Sequence, residues 1–346
     1  MPPKKKFLKP LFAVSVLALA LALPAAASAN IAFVRGFASQ AVYTANDNGS
    51  GVKKVAKGGE PHLSPDGASL IYRAEGPGHR PEMKLTTVGG GAGKTLMVNW
   101  QEPFQVRWSP NSEQILALRG GELGKRSLVL ITVATGAQKV LASGFFTGFS
   151  FDPEGKEVVY GKANSGTAFP PKSNIFKVSA AGGKAEALTH DNLSEFPLWG
   201  PTGKIVFVKL LEADKRKYAP KNELFLMNPN GKGVKRLTHT KVDQLLQGLF
   251  PTEWSANGNR LLAQFEGQDT TYAVGVNVRT GAQKPILEAT EQGLVGVALS
   301  PNGQTVYGAT GGFEPGSRNQ NVVSVPWSGG KQKTLVKNAL LPSFSF

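Results

Sequence analysis

The residues of this chain with chemistry to offer are four histidines, His62, His79, His190 and His239, and a scatter of glutamates around one arginine, Arg107. Three converging imidazoles would make a metal site. His190 and His239, however, follow Leu188-Thr189 and Leu237-Thr238, so a repeat position accounts for both without any metal. No metal ligand, catalytic residue or cofactor is therefore assigned. The hydrolase elbow Gly-x-Ser-x-Gly is missing. So are His-Glu-x-x-His, a phosphate loop and a dinucleotide fingerprint. The chain contains no cysteine, which excludes disulfides, thiolate metal sites and lipid attachment at a cysteine. A second group is a candidate ligand-binding set: Glu60, His62, Glu102, Arg107, Glu195 and Glu253. The glutamates stand just before or within the first strand of successive units. Together they form an expected acidic inner ring that receives a basic peptide segment or a cation.

The elements that must position these residues come from an internal repeat. A turn followed by a β-branched apolar strand recurs. It appears as Leu63-Ser64-Pro65-Asp66-Gly67 before Leu70-Ile71-Tyr72 and as Trp108-Ser109-Pro110-Asn111 before Ile115-Leu116-Ala117. It returns at Phe151-Asp152-Pro153-Glu154-Gly155, Trp199-Gly200-Pro201-Thr202-Gly203, Trp254-Ser255-Ala256-Asn257-Gly258 and Leu299-Ser300-Pro301-Asn302-Gly303. The turn prolines, or Ala256 in their place, stand at 65, 110, 153, 201, 256 and 301, a period near 45. Proline sets φ, Asp or Asn bonds its own backbone, and Gly accepts φ > 0, so the chain reverses tightly between antiparallel strands. A second hairpin and a short outer strand follow in each unit, such as Ala187-Leu188-Thr189 or Arg236-Leu237-Thr238. Each unit thus reads as four strands, innermost A to outermost D. The pattern predicts an all-β chain folded as a β-propeller. Trp108, Trp199 and Trp254 are expected in its core.

Six turns do not limit the count to six blades. Ile31–Val34, Ala41–Tyr43 and Val52–Val55 match strands B, C and D of a unit that lacks its A strand. The C-terminal Pro342-Ser343-Phe344-Ser345-Phe346 matches Pro61-His62-Leu63-Ser64-Pro65 and is expected to supply it. Seven four-stranded blades follow, with six the alternative, and the ring closes without an open edge. His62, on an inner strand, is placed to face the central channel.

These repeats resemble the WD40-like repeats of the TolB family, whose consensus centres on Trp-Ser-Pro-Asp-Gly. Ser64-Pro65-Asp66-Gly67 matches its last four positions, and Trp108-Ser109-Pro110 its first three. The resemblance implies the propeller part alone. TolB proteins carry an α/β domain ahead of it, whereas here the repeats start at Asn30. Propellers of prolyl-oligopeptidase-like serine peptidases share such repeats but need a hydrolase domain. Oligogalacturonate lyases also resemble this architecture and bind a metal through histidines near the channel.

Residues 1–29 read as a secretory signal peptide. Lys4, Lys5, Lys6 and Lys9 precede the apolar run Leu11–Leu23, and Ala27-Ser28-Ala29 provides a cleavage site. Residues 30–346 are then the propeller, in the periplasm or outside the cell, with no later membrane span and as a monomer. The net charge of the full chain is +15 and falls to +11 without those four lysines. The excess gathers on strand D and the turn before it. Lys53, Lys54, Lys57, Lys235, Arg236, Lys331, Lys333 and Lys337 mark a cationic belt suited to an anionic envelope surface. Outer-edge lysines also block strand addition by other chains. Lys215-Arg216-Lys217 sits beside Glu212 and Asp214 and reads as a solvated loop, so no nucleic-acid partner is expected. The expected role is a non-enzymatic binding module for protein or cell-envelope polymer. The alternative is a metal-assisted polysaccharide lyase or other hydrolytic propeller.

Overall fold

Most turns of the repeat are built around one side chain, and the turn at Gly200 closes through backbone hydrogen bonds alone, Gly200 N–H to the Lys204 carbonyl at 2.7 Å and Gly203 N–H to the Gly200 carbonyl at 3.0 Å. In the first turn of the chain, the Ser64 hydroxyl bonds Asp66 Oδ1 at 2.5 Å and accepts the Ser69 amide at 3.0 Å. Gly67 takes the left-handed φ of 67° that closes the reversal. Ser109, Ser255 and Ser300 repeat the arrangement with Asn111, Asn257 and Asn302 at 2.7, 2.9 and 2.8 Å. Where the serine is replaced, Asp152 accepts the Lys156 and Glu157 amides itself, at 2.6 and 2.8 Å.

This computed structural model describes residues 30–36, 39–100, 106–120, 125–166, 172–211, 221–240, 246–267, 271–286, 294–310 and 320–345. Among them are 27 strands, one 3-10 turn at Pro77–His79 and no α-helix. The chain opens with β1 (Asn30–Arg35), β2 (Ala41–Asn46) and β3 (Lys53–Lys57). A four-stranded unit follows: β4 (Gly59–Leu63), β5 (Ser69–Glu75), β6 (Pro81–Thr87) and β7 (Lys94–Val98). Next come β8 (Val106–Trp108), β9 (Gln114–Arg119), β10 (Arg126–Thr132) and the long β11 (Gln138–Phe151). The far half of β11 starts the unit completed by β12 (Glu157–Ala163), β13 (Ser173–Ser179) and β14 (Glu186–Ala187). Then come β15 (Ser194–Trp199), β16 (Ile205–Leu211), β17 (Lys221–Met227) and β18 (Lys235–Arg236). β19 (Leu246–Trp254), β20 (Arg260–Gly267), β21 (Thr271–Asn277) and β22 (Gln283–Pro285) form the next unit. β23 (Leu294–Leu299), β24 (Thr305–Thr310), β25 (Asn321–Pro326) and β26 (Lys333–Lys337) precede the last strand, β27 (Leu340–Phe344).

The strands of each unit pair antiparallel in sequence order. Hydrogen bonding groups them into five sheets, because β11 runs unbroken from one unit into the next and one parallel bridge, Asn222 to Gly248, links β17 to β19. The expectation of separate D and A strands around residue 144 is thereby corrected. Gly144, at φ 154°, carries the chain through without a break in pairing. Two expected D strands are also shorter. β14 and β18 stop at Ala187 and Arg236, because the Thr189 and Thr238 hydroxyls accept the Ile175 and Leu224 amides, each at 2.9 Å.

β27 pairs with β1, with Ile31 opposite Phe344 and Ala32 opposite Ser343. Phe346 lies outside the described residues. The Phe344 ring packs on Tyr307 at 5.1 Å.

The core lies between units, where the apolar faces of successive sheets meet. Ile71, Met83 and Trp100 of one unit pack with Ile115, Val129 and Ile131 of the next. Leu116, Leu128 and Leu130 meet Phe149, Val158 and Tyr160, and Val206, Val208 and Leu224 meet Trp254, Leu261 and Phe265. Val322, Val336 and Ala339 join Ile31, Phe33 and Ala45 in the same way, with Phe344 against them. Trp199 and Trp254 are buried, as their repeat position predicts. A side chain at Gly200 would come within 2.8 Å of the Trp254 indole, so only glycine lets that ring lie flat on the turn. Trp108 is half-buried and donates its indole N–H to the His62 carbonyl of the preceding unit at 3.2 Å.

Candidate functional site: a cavity at the innermost strands

The innermost strand is bulged in every described unit but that of β8, and the bulge helps to decide what faces inward. Glu60, Phe196 and Leu341 each precede a proline and hold φ of 45°, 47° and 46°, in the left-handed region. The pairing register slips beside them, between Gly59 and His62, between Glu195 and Leu198, and between Ala32 and Val34. A bulge inserts one residue, twists the strand and re-aims the side chain after it.

The residue three places before each turn proline, or its counterpart, is the one turned inward. His62, Arg107, Ser150, Leu198, Glu253, Ala298 and Ser343 hold this position, and all of them line one cavity of about 1260 Å³. Two of the hydroxyls also tie neighbouring inner strands together. Ser150 accepts the Trp199 amide at 2.8 Å, and Ser343 accepts the Leu63 amide at 2.9 Å. Leu198, Ala298, Val295 and Val297 make one part of the wall apolar.

Arg107 and Glu253 put opposite charges into this cavity, from β8 and β19. Enclosure by the surrounding strands pushes the Glu253 carboxyl up to about 7, even though the side chain still meets cavity water. The Arg107 guanidinium and the Trp254 amide pull it the other way. Enclosure lowers the affinity of Arg107 for its proton, and the Glu253 charge opposes that. An arginine keeps its charge under such conditions. Its Nη1 also donates to the Val106 carbonyl at 3.0 Å, which holds the side chain along its own strand.

Glu60 reaches the cavity wall too, where burial raises its carboxyl and Arg73, at 3.6 Å, lowers it. Glu195 does not reach it. This residue is buried, its Oε1 has no partner among the described residues, and burial pushes it up to about 7 against a hydrogen bond from Ser173. Glu102 lies outside the described residues. The structure thus brings Glu60, His62, Arg107 and Glu253 together and sets Glu195 apart. Ser150 and Ser343 were missed. They hold the same repeat position as His62 and Arg107, so aligning every unit on its turn proline finds them.

The other histidines stand away from this cavity. His79 pairs with Glu75 on an exposed turn, and His190 and His239 are exposed at the ends of their units. Among the described residues no group of three His, Cys, Asp or Glu side chains could hold a metal ion. Of the basic belt, Lys53, Lys54, Lys57, Lys235, Lys331, Lys333 and Lys337 are exposed. Arg236 turns inward to the fully buried Glu223 at 3.0 Å.

No family model and no curated protein matches the sequence. Solved structures match its fold. TolB from Acinetobacter baumannii is similar at 15% identity and a TM-score of 0.52, over 91% of this chain and 82% of that one. The β-propeller domain of the Trilobed protease from Pyrococcus furiosus is similar at 13% identity and a TM-score of 0.63, over 89% and 92%. Oligogalacturonate lyase from Vibrio parahaemolyticus is similar at 13% identity and a TM-score of 0.59, over 90% and 85%. At such identities a likeness speaks for architecture, since one fold hosts many functions. The chain is a β-propeller of TolB-like fold.

Proposed function

We propose that this chain is an exported, non-enzymatic binding propeller whose central cavity receives a segment of a protein or of a cell-envelope polymer. The observation that carries the reading is the cavity lined from every unit at one repeat position, with the Arg107 cation and the titratable Glu253 carboxyl in it and His62 and Glu60 beside them. A few polar groups set in a largely apolar wall are what a recognition site needs. In this reading residues 1–29 are a secretory signal and residues 30–346 are the propeller, a monomer in the periplasm or outside the cell. No helix among the described residues is long and apolar enough to cross a membrane.

The ring has seven four-stranded blades in this proposal, and β27 supplies the inner strand of the blade that β1 begins. The pairing of β27 with β1 and the apolar cluster joining β25 and β26 to β1 and β2 support it. The Pyrococcus furiosus propeller, by contrast, is described as having an open velcro topology.

A metal-assisted lyase or other hydrolytic propeller is the second reading, favoured by the likeness to oligogalacturonate lyases, one of them in complex with manganese. The residues here do not fit that group, because His62 alone among the four histidines lines the cavity.

The test immobilises the chain and exposes it to envelope extract. A double variant, Arg107→Gln with Glu253→Gln, should melt as the wild type does and lose what the wild type retains. Retention unchanged by the double variant would reject the cavity as the binding site. Stoichiometric metal in the purified protein, lost on His62→Ala, would replace the binding reading with the lyase.

A further inference from the structure

The lysines of the outer strands divide into two kinds. Lys94, Lys139 and Lys284 each reach across to the next unit and donate to a carbonyl of its outer turn, those of Ala134, Ala181 and Ser328. The first two bonds measure 3.0 Å. These cations stitch neighbouring units and are committed. Lys177 is held by Glu157 and Glu186, and Arg236 by Glu223.

The seam between β26 and β3 is different. Lys53, Lys54 and Lys57 on β3 and Lys331, Lys333 and Lys337 on and beside β26 are all exposed, and none bonds a described residue through its side chain. The turn that leads into β3 meets β26. A side chain at Gly49, in the turn that leads to β3, would run into the Leu335 carbonyl, and Leu335 stands between Lys333 and Lys337. Arg35 adds a seventh cation, its guanidinium bonded to the Lys337 carbonyl at 3.3 Å. Asp47 is the sole acid in residues 46–57 and 327–337. Val52, directly before Lys53, is 41% exposed.

We propose that this seam is a docking face for a membrane surface bearing anionic phospholipid headgroups, separate from the central cavity and independent of what the cavity binds. The charge has the complementary sign, and at this seam six exposed lysines lie on and beside two edge strands with one acid in residues 46–57 and 327–337. Every exposed cation in the patch is lysine. Lysine is a hydrated point charge that suits a plane of headgroups, whereas planar bidentate recognition of single phosphates favours arginine. Val52 provides an apolar contact at the rim. Each lysine held near an anionic leaflet raises partitioning roughly fivefold, and the effect fades within a Debye length of about 8 Å at physiological salt.

The test sediments the purified chain with vesicles of phosphatidylcholine alone and of phosphatidylcholine mixed with phosphatidylglycerol. Wild type should co-sediment with the mixed vesicles, leave the neutral ones in solution, and come off as salt rises. Changing Lys53, Lys54, Lys57, Lys331, Lys333 and Lys337 to Gln should leave the melting temperature within a degree or two and lower binding by at least about tenfold. Changing Lys125, Lys156, Lys172, Lys184, Lys204 and Lys232 to Gln removes the same charge elsewhere and should keep most of the binding. An equal loss in both variants would assign the effect to net charge and overturn the patch. No binding of wild type to mixed vesicles at low salt would reduce these lysines to guards of the strand edge. Binding to soluble polyphosphate with none to vesicles would overturn the lipid assignment. Salt-resistant binding that survives the seam substitutions would trace to the apolar N-terminal run and would also overturn it.

Discussion

The amide of Leu63 donates to the hydroxyl of Ser343 at 2.9 Å, joining residues 280 positions apart in the chain. Ser343 stands on β27, which also pairs with β1, so the last strand is held on both sides by the start of the chain. A chain ending at Leu341 loses this bond, most of the β27 ladder and the Phe344 contact with Tyr307. Removing a packed aromatic with its strand costs at least about 3 kcal/mol, a large part of the stability of an ordinary domain. The truncated protein should melt well below the full chain and aggregate on heating. Equal melting curves for the two would reject closure by β27.

Glu195 gives the fold a pH dependence of definite sign. Its carboxyl ordinarily titrates at 4.5 and is pushed up to about 7 in the folded chain by burial. The folded state therefore holds this proton more tightly than the unfolded state. Below pH 4.5 both states are protonated and the residue costs nothing. Between 4.5 and 7 the cost grows, and above 7 it is constant at about 3 kcal/mol. Glu195→Gln should match the wild type near pH 4 and exceed it in stability at pH 8 by an amount of that order. Chemical denaturation at the two pH values measures it. A variant no more stable at pH 8 would show that the carboxylate finds compensation when it ionises.

Arg107 and Glu253 should titrate as partners. Arg107→Gln removes the attraction that pulls the Glu253 carboxyl down, so Glu253 should titrate above its present value of about 7. Both side chains meet cavity water, so melting should change little. A carbon-detected NMR titration of the Glu253 carboxyl reads the shift directly. An unmoved titration would mean that the two charges do not share the cavity field.

The repeat was legible because its signal is local. Ser64, Pro65, Asp66 and Gly67 complete a turn among themselves, and neighbours with Asn in place of Asp build the same one. Short-range chemistry of this kind is written in residue order, so the turns and the strands that flank them were readable in advance. His62 and Arg107 stand at a constant distance from their turns, a regularity already present in residue order.

Tertiary structure decided the rest. Glu60 and Glu195 look alike in sequence, both acids at the start of an inner strand. In the fold, Glu60 reaches the cavity wall, whereas Glu195 is buried without a partner for Oε1. The bulge beside each turns on the φ of one residue, and a single inserted position sends the side chains that follow to different faces. The partnership of Arg107 with Glu253 joins positions 146 residues apart, and although both hold the same place in their repeats, the repeat does not say which units face each other. It exists because inner strands from separate units converge on one cavity. The cationic belt was countable from composition, yet which lysines are spent on a neighbour's carbonyl depends on how units pack. Lys139 is spent and Lys333 is not, although both stand on outer strands.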